Sequence, residues 1–241
     1  MIPIRYVDNH LLIVEKPAGM LSQADRTGDE DILTLMKAWV GEQFNKPGNV
    51  YLGLVHRLDR PASGLMALAR TSKAAARLTD QFKKRTVEKR YLAWIEGQTP
   101  DEATWQDHLV KRDQTVQIVD SSTSQGKPAS LDLRTIASEA GRSLVVVRLH
   151  TGRPHQIRVQ FASRGYPLVG DLRYGARSEL DGRNLALHAA ALALDHPTRS
   201  DRLGWTASPP NSWPNRLRAQ SVKWLDQWQS ANAYPDSLPP L

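Results

Sequence analysis

The 241-residue chain contains no cysteine. This absence excludes disulfide bonds, thiolate nucleophiles and cysteine-ligated zinc sites, and it is compatible with a reducing compartment. The sequence also lacks an apolar run approaching the roughly 18 residues of a membrane-spanning helix. Its N-terminus does not show a basic segment followed by an apolar one, the layout of a signal peptide. Together these absences predict a soluble cytoplasmic protein without a membrane partner.

Several common catalytic and ligand-binding motifs are also missing. The sequence has no glycine-lysine phosphate loop, no dinucleotide fingerprint and no Gly-x-Ser-x-Gly nucleophile elbow. The seven histidines form no His-x-x-x-His pair, and His188, inside an apolar run at 185–194, is expected to be a core histidine. A glycosidase needs two catalytic acids, and candidates such as Asp171 stand in no supporting pattern. These absences argue against a metal site and against nucleotide binding through either of these motifs.

Basic residues outnumber acidic ones, with 32 Lys and Arg against 25 Asp and Glu. The net charge of +7 and the sequence pI near 9.8 favour polyanionic partners, nucleic acid first among them. A basic protein without such a partner would have the same composition. Charge thus indicates a class of partner without locating a site.

Hydrophobic periodicity predicts a mixed α+β fold. Apolar residues at helical spacing predict helices over residues 31–44, 72–85 and 215–230, whereas residues 196–214 are expected to be irregular. Ser72 is the expected N-cap of the second helix, and the basic residues at the end of that helix suit the helix dipole or a phosphate contact. The strands predicted from short apolar or alternating runs are two within residues 2–15, one on each side of residues 56–64, and one each at 89–95, 104–110, 115–119, 129–136 and 143–149.

A polar loop, His56–Gly64, lies between two of the predicted strands. It holds one acid, Asp59, between Arg57 and Arg60. Nearby cations favour the charged form of a carboxylate, so Asp59 is expected to be ionised. Loops held by a rigid scaffold often carry catalytic groups, but a solvated surface ion pair gives the same pattern. The loop alone leaves both interpretations open.

A second polar cluster, Thr151–Arg158, follows the strand predicted at 143–149. Pro154 suits the first position of a helix, which would place His155 and Arg158 on one helix face. A strand, a glycine turn and basic side chains on a first helical turn form a candidate anion site. A cationic surface helix is the alternative.

Six segments occur in a fixed order: Lys16–Gly19, His56–Asp59 with Ser63–Gly64, Lys89–Tyr91, Thr151–Arg158, Gly170–Asp171 with Tyr174–Gly175, and Leu187–Ala189. This ordered set resembles the RluA family of RNA pseudouridine synthases. In that resemblance His56–Asp59 corresponds to the catalytic motif, and Lys89–Tyr91 to the strand with the active-site tyrosine. The similarity extends over residues 4–197, and Ala62 stands where the family usually has threonine.

The resemblance implies the pseudouridine-synthase fold, which has a mixed, mainly antiparallel central sheet flanked by helices and an active site in a central cleft. It implies one catalytic domain over residues 1–241, with its core at about 4–197 and a C-terminal extension at 198–241. The S4 RNA-binding domain of many relatives is not expected. The resemblance further implies a monomer that acts on ribosomal or transfer RNA without a cofactor, a metal or an obligatory protein partner.

The same resemblance implies roles for individual residues. Asp59 is the catalytic carboxylate, which attacks uracil C6, attacks ribose C1′ or removes the ribose 2′ proton; all three remain open. Arg158 is expected to pair with Asp59 and keep it charged. Tyr91 would pack against a flipped uracil and help to move the C5 proton, and Arg57 would fill the gap left by the flipped base. The other residues expected to contact RNA or the loops around the site are His56, Lys16, Arg153 and His155.

Two other functions are alternatives to the isomerase. A catalytically silent RNA-binding module or chaperone of the same fold would share the basic charge. A carboxylate-dependent hydrolase would use Asp59 without binding nucleic acid. The presence of Asp59, Tyr91 and Arg158 together favours the isomerase.

Overall fold

The computed structural model describes residues 2–113, 115–182 and 184–232. Within these residues, eleven strands form one sheet, and four α-helices accompany it. The strands are β1 (Ile4–Val7), β2 (Leu11–Lys16), β3 (Gly53–Leu54), β4 (Ser63–Ala69), β5 (Glu88–Glu96), β6 (Glu102–Arg112), β7 (Thr115–Val119), β8 (Lys127–Glu139), β9 (Arg142–Leu149), β10 (Leu187–Asp195) and β11 (Arg202–Thr206). The helices are α1 (Ile32–Gln43), α2 (Ser72–Lys84), α3 (Gln156–Ala162) and α4 (Asn215–Asn232).

The sheet is mixed and mainly antiparallel, as predicted. Its strand order is β1-β2-β4-β10-β5-β9-β8-β6-β7, with β3 paired to β4 and β11 paired to β10. Among the described strand pairs, β4 and β10 are parallel and all the others are antiparallel. This parallel pair joins two strands that are far apart in the sequence, at the centre of the sheet.

Helices cover both faces of the sheet because successive side chains of each strand point to opposite sides. On one face, Tyr91 of β5 belongs to the same buried cluster as Met36 of α1 and Phe161 of α3. On the other face, Leu92 of β5 packs in the cluster of α4, and the cluster of α2 lies beside it. The α+β class and the flanking helices predicted from the sequence are thus confirmed.

Three local predictions differ from the structure. The N-cap of α2 is Thr71, whose side chain accepts from the Ala74 amide, and Ser72 is the first helical residue. Helix α3 begins at Gln156, so Pro154 lies in the preceding turn and not at the first helical position. Residues 196–214 were expected to be irregular but contain β11, because residues 202–206 find hydrogen-bonding partners along β10.

Gly64 brings the polar loop into the sheet at the parallel pair. It is aligned with Ala189 of β10 and has φ +116°, a conformation that side-chain-bearing residues rarely adopt. A Cβ at this position would lie 2.5 Å from the Ala189 backbone nitrogen and closer still to its carbonyl oxygen. The glycine therefore permits both the backbone conformation and the close approach of the two strands.

We expect Gly64→Ala to destabilise the protein by about 3 kcal/mol or more, because the methyl group meets rigid backbone in addition to the strain of a positive φ. For a chain of this size, that loss lowers the thermal midpoint by roughly 6–12 °C. Gly48→Ala is the matched control, since Gly48 also has a positive φ but a methyl group there would meet no atom within 4 Å. Equal midpoints for the two variants would contradict the packing argument.

Candidate active site

A cavity of about 780 Å³ opens on the face of the sheet that carries Tyr91. The polar loop forms one wall, β5 forms the floor, and the segment from the end of β9 to the start of α3 forms the opposite wall. Asp59, Tyr91 and Arg158 all line this cavity. The structure therefore brings together three residues that lie far apart in the sequence.

Lys16 fastens the polar loop from below. Its side chain is 1% exposed, and its ammonium group donates to the carbonyl oxygens of Pro17 (2.9 Å), Met20 (2.8 Å) and Arg60 (3.1 Å). Burial lowers the pKa of Lys16 to about 7, although the nearby charge of Asp59 opposes this shift. With three bonds to the backbone and almost no exposed surface, Lys16 makes the loop contact expected of it rather than presenting a cation to RNA.

The backbone of the loop has further supports. Gly19 donates its amide to the Arg60 carbonyl oxygen at 2.9 Å, and Arg60 Nε donates to the Gly19 carbonyl oxygen at 3.0 Å. The Ser22 hydroxyl donates to the Leu58 carbonyl oxygen at 2.8 Å and accepts from the Leu58 amide at 3.2 Å. The loop residues on both sides of Asp59 are thus tied to the segment that follows β2.

The partner of Asp59 is not one of the flanking arginines. Arg60 instead forms an ion pair with Asp29, at 2.7 Å from Nη1 to Oδ2. Arg57 is exposed, and among the described residues it has no hydrogen-bond or ion-pair partner. Arg158 Nη1 lies 3.3 Å from Asp59 Oδ2. The predicted contact between Arg158 and Asp59 is present, and it comes from a residue 99 positions away.

Asp171 holds Arg158 in place. It accepts two hydrogen bonds, from Arg158 Nε at 2.7 Å and from Nη2 at 2.8 Å. This bidentate arrangement is among the strongest contacts between an arginine and a carboxylate. The side chains of Arg158 and Asp171 are only 5% and 1% exposed, whereas that of Asp59 is 28% exposed. Both carboxylates raise the pKa of Arg158 against the opposing effect of burial. The bidentate pair is therefore internal, and a third nitrogen of Arg158 is left for Asp59.

His155 approaches Asp59 from the other side. Its Nε2 lies 3.9 Å from Asp59 Oδ2, and its Nδ1 lies 2.9 Å from the Tyr174 hydroxyl. That hydroxyl accepts from the Val116 amide at 2.8 Å, so its own proton is available for His155 Nδ1. Burial lowers the pKa of His155, so its ring is neutral at pH 7. With Nδ1 as acceptor, the ring directs its Nε2–H toward Asp59.

Tyr91 occupies the floor of the cavity and is 6% exposed. Burial, with a smaller contribution from the negative charge of Asp59, raises the pKa of Tyr91. Tyr91 is therefore a neutral phenol throughout the physiological pH range. Its ring offers an apolar surface beside the carboxylate.

Two remaining predicted contacts, His56 and Arg153, also line the cavity. The ring of His56 stacks on Phe82, with centroids 4.6 Å apart, and its Nε2 accepts from the Ala67 amide at 2.9 Å. Burial and the nearby charge of Lys89 lower the pKa of His56 to about 3, so this ring is neutral. Arg153 Nε donates to the Pro128 carbonyl oxygen. Contact of either residue with RNA stays a prediction.

His188 secures the strand junction from inside the sheet. It is 2% exposed, its Nδ1 accepts from the Ser63 hydroxyl at 2.8 Å, and its Nε2 donates to the Ala207 carbonyl oxygen at 3.1 Å. The bond from Ser63 needs the neutral ring, because a protonated Nδ1 cannot accept, and burial lowers the pKa of His188 to about 4. The prediction of a satisfied core histidine is confirmed.

We expect acid to destabilise the protein between about pH 6.5 and pH 4. The folded state keeps His188 neutral in this range while the unfolded chain takes up a proton. The free energy of unfolding therefore falls as the pH falls, by about 1.4 kcal/mol per pH unit for this group. His188→Gln retains a donor but cannot titrate. The slope of the free energy of unfolding against pH, measured by urea unfolding at several pH values, should therefore be smaller by the contribution of one proton. An unchanged slope would contradict the buried neutral state.

A family model described as RNA pseudouridylate synthase matches residues 10–163. The chain belongs to the RNA pseudouridine synthase family. It is 34% identical over 228 residues to Ribosomal large subunit pseudouridine synthase D of Pseudomonas aeruginosa, with 87% of this chain and 69% of that protein covered. It is 35% identical over 225 residues to the protein of that name from Zymomonas mobilis, with 87% and 70% covered.

The fold comparison agrees with the family assignment. The solved structure titled Human RNA Pseudouridylate Synthase Domain Containing 1 superposes with a TM-score of 0.72 and 26% sequence identity, covering 96% of this chain and 95% of that one. The pseudouridine-synthase fold is therefore confirmed, and so is the activity predicted from the motifs. This pseudouridine synthase is an isomerase that converts uridine in RNA to pseudouridine.

Within the described residues, no group of three or more His, Cys, Asp or Glu side chains is arranged to hold a metal ion. In the same part of the chain, no helix is both long enough and apolar enough to cross a membrane.

Sequence reasoning missed Asp171 and Tyr174 as site residues of this pseudouridine synthase. Both belong to a motif that stands out in the sequence only through the family resemblance, and Asp171 was otherwise a candidate only for the second acid of a glycosidase. Asp171 precedes the short 3₁₀ turn Leu172–Tyr174, which returns the chain to the first turn of α3. A buried arginine demands a carboxylate partner, and this demand is the signal that points to Asp171 once Arg158 is placed in the core.

Proposed function

We propose that this pseudouridine synthase modifies uridine in large-subunit ribosomal RNA and that Asp59 is its nucleophile. The contact of 3.3 Å between Asp59 and the buried Arg158, within a cavity that also holds Tyr91, carries the proposal. The names of the relatives from Pseudomonas aeruginosa and Zymomonas mobilis support the choice of RNA.

The target uridine must leave its base stack before it can reach Asp59, at a cost of a few kcal/mol. Arg57 is exposed and lines the mouth of the cavity, and it has no side-chain partner among the described residues. Its planar guanidinium can stack on bases and bind phosphate. We assign Arg57 to the gap that the flipped base leaves in the RNA.

Asp59 then forms a covalent bond to the uridine, which divides the isomerisation into easier steps. The N1–C1′ bond breaks, the uracil turns, and a C5–C1′ bond forms. The bond between Asp59 and the uridine then breaks, which regenerates the free carboxylate. C5 loses its proton and N1 gains one, so the product has the same atoms as the substrate. This balance requires no oxidant, reductant or energy source.

The neighbours of Asp59 serve this chemistry. Arg158 places a cation 3.3 Å from the Asp59 carboxylate and orients it toward the cavity. Tyr91 packs against the uracil as a neutral phenol and helps to move the C5 proton. His155, Lys16, Arg153 and His56 maintain the walls of the cavity around the base. One copy of the chain supplies all these groups. We propose that the enzyme acts as a monomer in the cytoplasm.

Tritium release tests this function directly. The wild-type protein is incubated with transcripts of large-subunit ribosomal RNA and, separately, of transfer RNA, each carrying tritium at uridine C5. We expect release from the ribosomal transcript, and sequencing of pseudouridine in cells with and without the gene should locate the same position. Release from transfer RNA alone would overturn the target. Binding of both RNAs without any release would favour the catalytically silent RNA-binding module.

A further inference from the structure

Lys89 lies on the floor of the cavity, on the same face of β5 as Tyr91. The two residues are separated by one position, so their Cα atoms are about 6.5 Å apart along the strand. Both side chains line the cavity. A uridine against Tyr91 would therefore have the adjoining part of its sugar–phosphate backbone near Lys89.

The ammonium group of Lys89 is held without an anion. Among the described residues it has no hydrogen-bond or ion-pair partner, and its nearest aromatic contact is the ring of Phe82, 5.5 Å from the centroid. Burial lowers the pKa of Lys89, and no carboxylate offsets that effect. The neighbouring acid, Glu88, is already paired with Arg90 at 2.6 Å and with Arg148 at 3.5 Å. An anion that entered the cavity would find this cation available.

Arg85 provides a second, independent observation. It ends α2 in the left-handed conformation, with φ 61°, where glycine is the less costly residue. Its side chain lines the same cavity and has no partner among the described residues. A strained non-glycine residue at the edge of a ligand cavity points to a role for its side chain. Lys84, by contrast, is 68% exposed and pairs with Asp80 within the helix, so it belongs to the ordinary helix surface.

We propose that Lys89 and Arg85 form a subsite for an RNA phosphodiester beside the flipped uridine. The subsite rests on the proposed function, since it requires the uridine to lie between Asp59 and Tyr91. The ring of Phe82, packed between His56 and Lys89, forms its wall. The base of the substrate thus binds between Asp59 and Tyr91, and its phosphodiester binds at Lys89 and Arg85 in the same cavity.

The test measures single-turnover tritium release from the large-subunit transcript over a range of enzyme concentrations. Lys89→Met and Arg85→Gly should each raise the half-saturating concentration about tenfold at 0.15 M salt, as expected for loss of a charged contact. The effect should fall mainly on this concentration and not on the maximal rate. Each variant should also reduce the slope of log affinity against log salt by about 0.7, the value for one phosphate of a single strand.

The variants separate binding from folding. Arg85→Gly relieves the left-handed backbone, so its thermal midpoint should not fall, and Lys89→Arg should restore most of the affinity. Lys84→Met is the matched control and should leave both affinity and salt slope unchanged. Unchanged affinity and slope in Lys89→Met and Arg85→Gly would overturn the subsite, as would a loss confined to the maximal rate.

Direct binding of the same transcript, measured by filter retention, distinguishes the two proposals. If the wild type releases no tritium but both variants still bind more weakly with a smaller salt slope, Lys89 and Arg85 contact RNA phosphate, and it is the proposed function that fails. If the wild type is active and both variants bind as it does, the proposed function stands and the subsite fails.

Discussion

Replacement of Asp59 by asparagine is expected to reduce pseudouridine formation by at least about 10⁴-fold, the scale seen when a nucleophile is removed from an enzyme. An amide has no negative charge with which to form the covalent intermediate. The change is nearly isosteric, and Asp59 is 28% exposed, so folding and RNA binding should be retained. Single-turnover tritium release measures the rate, and thermal unfolding and filter binding check the other two properties.

Asp29→Asn is the matched control for this variant. Asp29 belongs to the segment joined to the same loop through Arg60, but its side chain is 50% exposed and pairs with Arg60 rather than with the reacting groups. Its activity should stay within about threefold of the wild type, because exposed ion pairs contribute little. Residual activity of Asp59→Asn above about 1% of the wild type would refute the nucleophile assignment. Full complementation of a deletion strain by Asp59→Asn would favour the RNA-binding module.

The second large effect is expected at Arg158. Arg158→Met removes the cation beside Asp59 and leaves Asp171 buried without a partner, so we expect a loss of about 3–5 kcal/mol in the free energy of unfolding together with a loss of activity. In the single variant, the loss of stability and the loss of activity both follow from removal of Arg158. Adding Asp171→Asn, which neutralises the buried carboxylate, separates the two effects.

In the double variant Arg158→Met/Asp171→Asn, the buried site of the ion pair holds no charge. Stability should recover by at least about half of the loss, because neutral replacements of a buried ion pair are often tolerated. Activity should not recover, since Asp59 still lacks its cation. Urea unfolding measures stability and tritium release measures activity in the wild type, the two single variants and the double variant. Parallel recovery of stability and activity would show that Arg158 serves the fold alone.

The parts of the site that could be predicted from the sequence are those that depend on neighbouring residues, and the parts that could not be predicted depend on contacts between distant segments. Asp59 and the Thr151–Arg158 cluster stand out locally, because each places polar residues directly after a strand. The pairing of Arg158 with Asp171 does not, because it depends on how the turn at residues 170–175 folds back onto α3. Lysine is usually exposed, so the burial of Lys16 could not be predicted from the sequence. The structure explains it by the three carbonyl oxygens that accept from its ammonium group.

The same distinction applies to the fold. The strands around residues 89–95 and 143–149 were predicted because their own residues carry the β pattern. Strand β11 was missed because its residues are only half-buried or exposed, and its strand conformation depends on pairing with β10. The motif resemblance supplied the sheet type, and the structure supplied the order of strands that places the cavity between β4 and β9.

The parallel pairing of β4 with β10 also sets when the enzyme becomes competent during synthesis. Ser63 and His188 are 125 residues apart in the chain, so the support of the catalytic loop cannot form until β10 has been translated. At 5–20 residues per second, roughly 6–25 s pass between the synthesis of these two residues. A nascent chain therefore carries Asp59 for many seconds without an assembled site, and activity begins only when the last central strand is in place.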